Sequence, residues 1–364
     1  SKRLVMTPIF KPYMPQDILL ELENILYSGQ LAYGKHGRNF ETELAKFIGT
    51  PYVLTISSYN QAMLMALSIL DIKPGDEVIA SPVSCLASNQ PFIIKGINVV
   101  WADVNPLTGS LCVDDVKNKI TSKTKAIFHN HFCGFLGNIK EINALAKEHG
   151  LWVVDDCIEA FGSQYYGQKA GNLGADLTVF SFQTVRLPNT IDGAAISFSS
   201  QKMYEKGVLV RDYGIDRKKF RTSVGEISPH CDITLEGYGA TMSEINSYIG
   251  YKQMEHLPEL LKKQKENSEW WDNEIKNNRK NIKPIGLVEN TQPNYWVYGV
   301  LCEDKAKALQ EFRNQNWYAT SVHINNNIYS IFNNSIDLKG VIEFMDKFLA
   351  IPCGWWINQS DKDS

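Results

Sequence analysis

Arg186 lies in VFSFQTVRLPNTIDGAAISF, Val179–Phe198, in a polar turn between two apolar runs. A guanidinium with a pKa above about 12 stays protonated at neutral pH, so it neutralises carboxylates but serves neither as a base nor as an imine-forming amine. The segment Ser57–Gln61 joins a strand pattern, PYVLTISS, to a helical one, YNQAMLMALSIL, and anions often sit at such a turn. His129 and His131 alternate in FHNHF and so share a strand face. No carboxylate or cysteine spacing beside them supports a metal, and a structural or substrate-contact role is expected instead. The cysteines at 85, 112, 133, 157, 231, 302 and 353 are odd in number, scattered and without a CxxC pair. They are expected to be reduced and mostly buried.

The elements that must position these residues follow from periodicity. An amphipathic helix is expected in QDILLELENILYSG, ended by Gly29, and a second from about Asn39 to Phe47, closed at Gly49. Strands DEVIASP, NVVWADV, TKAIFHNH, LWVVDD, DLTVFSF and GAAISF then alternate, for the most part, with helical stretches, which indicates an α/β domain with a largely parallel sheet. Its ligand site should lie at the carboxyl ends of the strands. After Gln201 the pattern turns helix-rich, with one long helical run expected from Ser243 to Asn277. A strand in PNYWVYGVLC and helices in KAKALQEFRNQN and LKGVIEFMDKFLAIP suggest a small α+β domain. The expected division is an N-terminal segment 1–30, a large α/β domain 31–242, and a bridging helix with a C-terminal domain 243–364.

The 364 residues are 44% apolar and 21% charged, ordinary for a globular enzyme-like chain. A net charge of −3 gives no basic field for nucleic acid or an anionic membrane. No apolar run approaches the roughly 18 residues that span a bilayer, and the opening SKRLVMTPIFKPY lacks the apolar centre of a signal peptide, so a cytoplasmic location is expected.

From about Thr7 to Trp356 the chain resembles the DegT/DnrJ/EryC1/StrS family of nucleotide-sugar aminotransferases. The segments SGQLAYGKHGRNFETELAKFIGT, KPGDEVIASPVS, WADVNPLTGSL, TKAIFHNHFCG and HGLWVVDDCIEAFGSQYYGQKAGNLGADLTVFSF match that family in order and spacing. The ending LAIPCGWWI looks like members acting on dTDP-linked 4-keto-6-deoxy sugars. The resemblance implies an aspartate-aminotransferase-like fold, fold type I, with pyridoxal phosphate as cofactor. It places Asp156 on the pyridine nitrogen, where a carboxylate keeps the ring protonated and electron-withdrawing. Capping of a turn is the alternative role for Asp156. Ser181 matches the phosphate-binding serine, with a hydroxyl satisfying backbone as its alternative. His131 falls where the family has a histidine and His323 where the members' C-terminal domain contacts sugar nucleotide, which makes both candidate substrate contacts, His323 being equally readable as a surface histidine; Lys35, Arg211 and Arg217 are candidate diphosphate contacts, each readable instead as a solvent-facing charge. The helix SEINSYIGYKQMEHL resembles the family's dimer-forming region, which implies a homodimer.

Against this pattern the departures cluster at one site. Arg186 takes the position of the lysine that forms the aldimine, so ordinary transamination is expected to fail. Tyr59 and Asn60 replace the Gly-Thr of the phosphate turn, and a phenol ring there crowds the approach of backbone. Cys85 replaces a stacking aromatic, Gly239 an asparagine reaching from the partner subunit, and Glu159 a glutamine or histidine. Weak or absent cofactor binding is expected, with Arg186 pairing with Asp156 or Glu159 in the place of the pyridinium. Three functions remain open: a processing protein for a nucleotide-linked keto sugar in surface-polysaccharide biosynthesis, a non-catalytic homologue that binds such a sugar or an active paralogue, and an ordinary aminotransferase seen as an Arg186 variant.

Overall fold

The computed structural model describes residues 5–363, so the first four residues of the expected N-terminal segment and Ser364 lie outside it. The apolar runs form a seven-stranded sheet in the order Val53–Ile56, Ala194–Phe198, Leu177–Ser181, Trp152–Cys157, Thr124–Asn130, Glu77–Ala80, Asn98–Trp101. From Leu177–Ser181 outward to Asn98–Trp101 every pairing is parallel, whereas Ala194–Phe198 runs antiparallel to both neighbours. Strands VLTI, LTVFS and AAISF are buried at every position. That is what a sheet covered by helices on both faces requires.

Local chemistry fixes where the helices begin. Ser58, Ser200 and Ser243 each accept a hydrogen bond from the N–H three residues on, a cap worth about 1 kcal/mol. The helix Lys35–Ile48 has no such side chain at its start. Glu244, far along the chain and 4% exposed, supplies the acceptor instead: its carboxylate takes the N–H groups of Gly34, His36 and Gly37 at 2.7, 2.9 and 3.1 Å. A buried anion at a helix N-terminus satisfies orphan donors and the helix dipole together.

Beyond residue 280 a second sheet pairs Tyr298–Cys302 antiparallel with Ile282–Pro284 and Phe348–Ile351. Its own core holds Trp271, Phe312 and Trp317. Ile285, Trp296, Phe344 and Phe348 join the core of the large sheet.

Some expectations change. The single helical run from Ser243 becomes two helices, Glu244–Met254 and Leu257–Asn278, because Pro258 opens the second and cannot continue the first. The residues FLAI, expected as helix, form the buried strand Phe348–Ile351 since backbone pairing with Tyr298–Leu301 outweighs local pattern. The helix Glu244–Met254 buries Tyr248, Ile249 and Met254 within its own chain and leaves Ile245 and Tyr251 partly buried. Exposed apolar side chains also lie on the helix Leu19–Tyr27, at Leu19, Leu20, Leu26 and Tyr27.

Candidate functional site

Asp156 projects at the carboxyl end of Trp152–Cys157, one residue from the end of its strand, and is 2% exposed. Its first oxygen accepts the Tyr59 hydroxyl at 2.7 Å, and its second accepts Asn130 Nδ2 at 2.9 Å from the neighbouring strand. Tyr59 opens the helix after the first strand and sends its ring inward, with Oη also 3.3 Å from Ser88 Oγ. Burial, and then the charge of Asp156, push the phenol well above its usual value, so it stays a neutral donor. Burial likewise raises Asp156, against the opposing pull of hydrogen bonds from Ser88, Tyr59 and Asn130. The phenol expected to crowd the phosphate turn thus reaches past that turn into the interior. It, and not the Arg186 guanidinium, is the group on Asp156; Arg186 is held too far round the site by other partners.

Those partners are Trp296 and Glu159. The Arg186 guanidinium carbon lies 4.7 Å from the Trp296 ring centroid, a cation–π contact, and Trp296 Nε1 donates to Val185 O at 3.0 Å, which ties the platform to the arginine's own turn. Arg186 Nη1 is 3.8 Å from Glu159 Oε2, an ion pair too long for a hydrogen bond. Its Nε is buried without a hydrogen-bond partner.

Glu159 is the hub. Its side chain is wholly buried; Oε1 accepts the Cys133 N–H at 3.0 Å and Oε2 meets His323 Nε2 at 2.6 Å. Burial alone would raise its pKa, but the His323 imidazole, with Arg186 behind it, outweighs that and holds the carboxylate below its ordinary value. Asn294 fixes the backbone beneath, donating to Glu159 O and Phe161 O at 2.9 and 3.0 Å. Gly134 packs on this asparagine: at φ +92° it occupies the left-handed region, and a Cβ there would come within 2.4 Å of Asn294 Oδ1. On the other side Val322 holds φ +63°, an unusual conformation for a β-branched residue, directly before His323.

The other sequence-flagged residues distribute as follows. Ser181, buried at its strand end, accepts the Gln183 N–H at 3.2 Å. Cys85 is half-buried before the helix Leu86–Ile94, and burial plus the Glu159 charge push its thiol to about 11. Asn60 is exposed on the helix surface. Gly239 O accepts Gln61 Nε2 at 3.3 Å, and Gly239 bridges to Asp212. Arg211 is taken up internally, its Nη1 donating to Glu41 at 2.7 Å and Thr55 O at 2.9 Å, while Arg217 pairs with Asp212. Tyr59 as partner of Asp156, Asn130, Asn294 and Trp296 were not seen in this role from sequence, because each contact joins residues between 26 and 135 positions apart.

A family model described as the DegT/DnrJ/EryC1/StrS aminotransferase family matches residues 12–355. The chain belongs to this family. A GDP-perosamine synthase from Vibrio cholerae is 27% identical over 301 residues, 82% of this chain and 78% of the relative. The solved sugar aminotransferase CalS13 from Micromonospora echinospora is 25% identical at a TM-score of 0.91, covering 98% of this chain and 97% of that one. The fold is also that of the putative sugar aminotransferase Spr1654 from Streptococcus pneumoniae in its PLP-form: TM-score 0.87, 20% identity, 98% and 96% coverage. The DegT/DnrJ/EryC1/StrS family comprises sugar aminotransferases of nucleotide-sugar and polysaccharide biosynthesis, and these likenesses imply pyridoxal phosphate as its cofactor. Among the described residues no helix is long and apolar enough to cross a membrane.

In this DegT/DnrJ/EryC1/StrS member the shared strand face of His129 and His131 meets Asp155 from the next strand, and all three are wholly buried. Sequence spacing did not reveal this carboxylate because it arrives by strand pairing, His129 opposite Asp155. His131 Nε2 is 3.1 Å from Asp155 Oδ1, although not in hydrogen-bond geometry, and its Nδ1 accepts the Gly137 N–H at 2.9 Å. An accepting Nδ1 leaves the proton of a neutral ring on Nε2, facing the carboxylate. A metal at Nε2 would demand the other tautomer and set two N–H groups against each other.

Proposed function

We propose that this protein serves nucleotide-sugar metabolism of surface polysaccharides without pyridoxal phosphate, as a family member that binds a nucleotide-linked keto sugar in a site closed to the old cofactor. The observation carrying this reading is the 2.7 Å bond from Tyr59 Oη to Asp156, the carboxylate the family resemblance assigns to the pyridine nitrogen. The residues present do not fit the cofactor. Tyr59 takes the aspartate, and Arg186 offers no amine at the lysine position. Support for the substrate class comes from the relatives, among them a GDP-perosamine synthase.

The test is direct. Wild type and Arg186→Lys are incubated with pyridoxal phosphate, desalted, and examined by absorbance and by mass after borohydride reduction. Neither should retain the cofactor, while GDP-, dTDP- or UDP-linked 4-keto-6-deoxyhexoses should bind wild type in calorimetry. Stoichiometric cofactor on wild type refutes the reading; amination restored by Arg186→Lys alone would mark an ordinary aminotransferase altered at one residue. The reading includes a homodimer, supported by the exposed Leu19, Leu20 and Tyr27, and light scattering showing only monomer would remove that part.

A further inference from the structure

The residues gathered where a lysine and cofactor would stand compose a different kind of site. Glu159, wholly buried and ionised, binds His323 Nε2 at 2.6 Å, so the imidazole presents Nδ1 as its remaining group. That nitrogen has no hydrogen-bond partner among the described residues, and the His323 side chain is 16% exposed. Across the same carboxylate, Arg186 reaches the surface with 11% of its side chain. No guanidinium N–H of Arg186 makes a hydrogen bond to any described residue. Trp296 and its stacking partner Phe10, 4.4 Å away, hold that cation in place without using up its donors. The strained φ of +63° at Val322 fixes the approach of His323. An oriented imidazole with one free nitrogen, sharing a carboxylate oxygen with a cation whose donors are unspent, is the minimum apparatus for removing a proton beside a carbonyl.

We propose that His323, Glu159 and Arg186 form a cofactor-free acid–base site that enolises a nucleotide-linked keto sugar. This rests on the substrate class argued above. His323 Nδ1 takes the proton from the carbon next to the ketone; the C–H electron pair forms the C=C bond and the carbonyl π pair moves onto oxygen, where Arg186 donates to the resulting oxyanion. The imidazolium then returns a proton to that carbon on the face it occupies and restores the ketone; where the carbon carries a hydroxyl, passing that hydroxyl proton to the oxyanion and the imidazolium proton to the former carbonyl carbon gives the keto isomer instead. No oxidant, reductant or second substrate is consumed. His323 is the catalytic base and Arg186 the oxyanion donor; Glu159 is a positioning residue that sets the tautomer.

The experiment incubates wild-type protein in D2O with GDP-, dTDP- and UDP-linked 4-keto-6-deoxyhexoses, follows deuterium at the carbons flanking the ketone by NMR, and measures affinity separately by calorimetry. Expected is exchange with at least one sugar, reduced about 10²–10⁴-fold in His323→Gln with affinity kept within a few-fold. Glu159→Gln should slow exchange at saturating sugar while leaving KM little changed, a split that a merely structural loss would not give. Binding without exchange overturns this proposal and leaves the sugar-binding reading standing. Exchange undiminished in a folded His323→Gln protein overturns it as well, and absence of binding to every sugar overturns both.

Discussion

Replacing Tyr59 by phenylalanine deletes one oxygen and tests the contact on which the site is built. The ring is 6% exposed and the aspartate 2%, so no water substitutes freely for the lost donor. Asp156 Oδ1 would keep the Ile158 N–H at 3.3 Å, Oδ2 keeps Asn130, and the pull of Ser88 remains. A hydrogen bond to a buried charged group is worth about 1.5–3 kcal/mol. With an unfolding entropy of about 2.1 cal/mol/K per residue, a chain of 364 residues then loses roughly 2–4 °C in Tm. The loss should depend on pH. Asp156 already has a raised pKa in the folded protein, so the folded state binds its proton more readily and stability falls as pH climbs from the ordinary value of 3.8 through the folded one. Removing the Tyr59 donor raises the folded value further. The penalty is therefore full at pH above that value and shrinks in acid, where the protonated carboxyl needs the phenol less. Urea melts of wild type and Tyr59→Phe from pH 4 to 8, with Asp156→Asn as the uncharged control, check this. A pH-independent difference below about 0.5 kcal/mol, the range of inconsequential substitutions, would refute the pairing.

Glu159→Gln leaves Arg186 without its ion partner and weakens the His323 bond. Because Glu159 has a depressed pKa, its stabilisation is present above 4.5 and lost as pH falls through the folded value, so chemical denaturation should show a deficit of about 3 kcal/mol at neutral pH that vanishes in acid. Glu244→Ala strips the N–H groups of Gly34, His36 and Gly37 of their acceptor and should cost about 2 kcal/mol, with early hydrogen exchange at the start of Lys35–Ile48. Tyr59→Gly combined with Arg186→Lys vacates the ring space and supplies an amine, so borohydride should trap pyridoxal phosphate on the double variant and on neither single one; trapping on Arg186→Lys alone would show that Tyr59 does not close the site.

The sheet was legible because its strands are short apolar runs alternating with helical periodicity, and the ordered segments from SGQLAYG to DLTVFSF carried the family. The candidate residues Arg186, Glu159 and Tyr59 were legible too, since their types and places are read directly from the chain. How they pair was not. Residue type told that a phenol stood at the phosphate turn, but whether it blocked the turn or reached Asp156 depended on the rotamer of a residue 97 positions away from its partner. The His323–Glu159 pair spans 164 positions, and Asp155 meets the two histidines only through parallel strand pairing. The strand FLAI was hidden because four buried apolar residues read equally well as the end of a helix.

Under the proposed reading Tyr59, Asp156, Glu159, Arg186 and His323 form one electrostatic arrangement. Two carboxylates, Asp156 and Glu159, stand three residues apart at the end of one strand, each buried, and in the family resemblance the first would answer to a cofactor cation. Remove that cation and Asp156 needs an internal donor; Tyr59 supplies a neutral one, which leaves the charge at this point dependent on pH. Placing a second acid at Glu159 beside it then demands a cation that does not touch Asp156. Arg186 and His323 both approach Glu159, at 3.8 and 2.6 Å, and its depressed pKa is the measure of how well they do so. The result is a site in which one carboxylate is satisfied by a phenol and the other is ionised between a guanidinium and an imidazole. A pocket decaying without selection would accumulate unpaired buried charge, since breaking such pairs costs about 3–5 kcal/mol. Here Asp156 and Glu159 each have a partner of matching chemistry, which favours the proposed reading of a site with a task of its own.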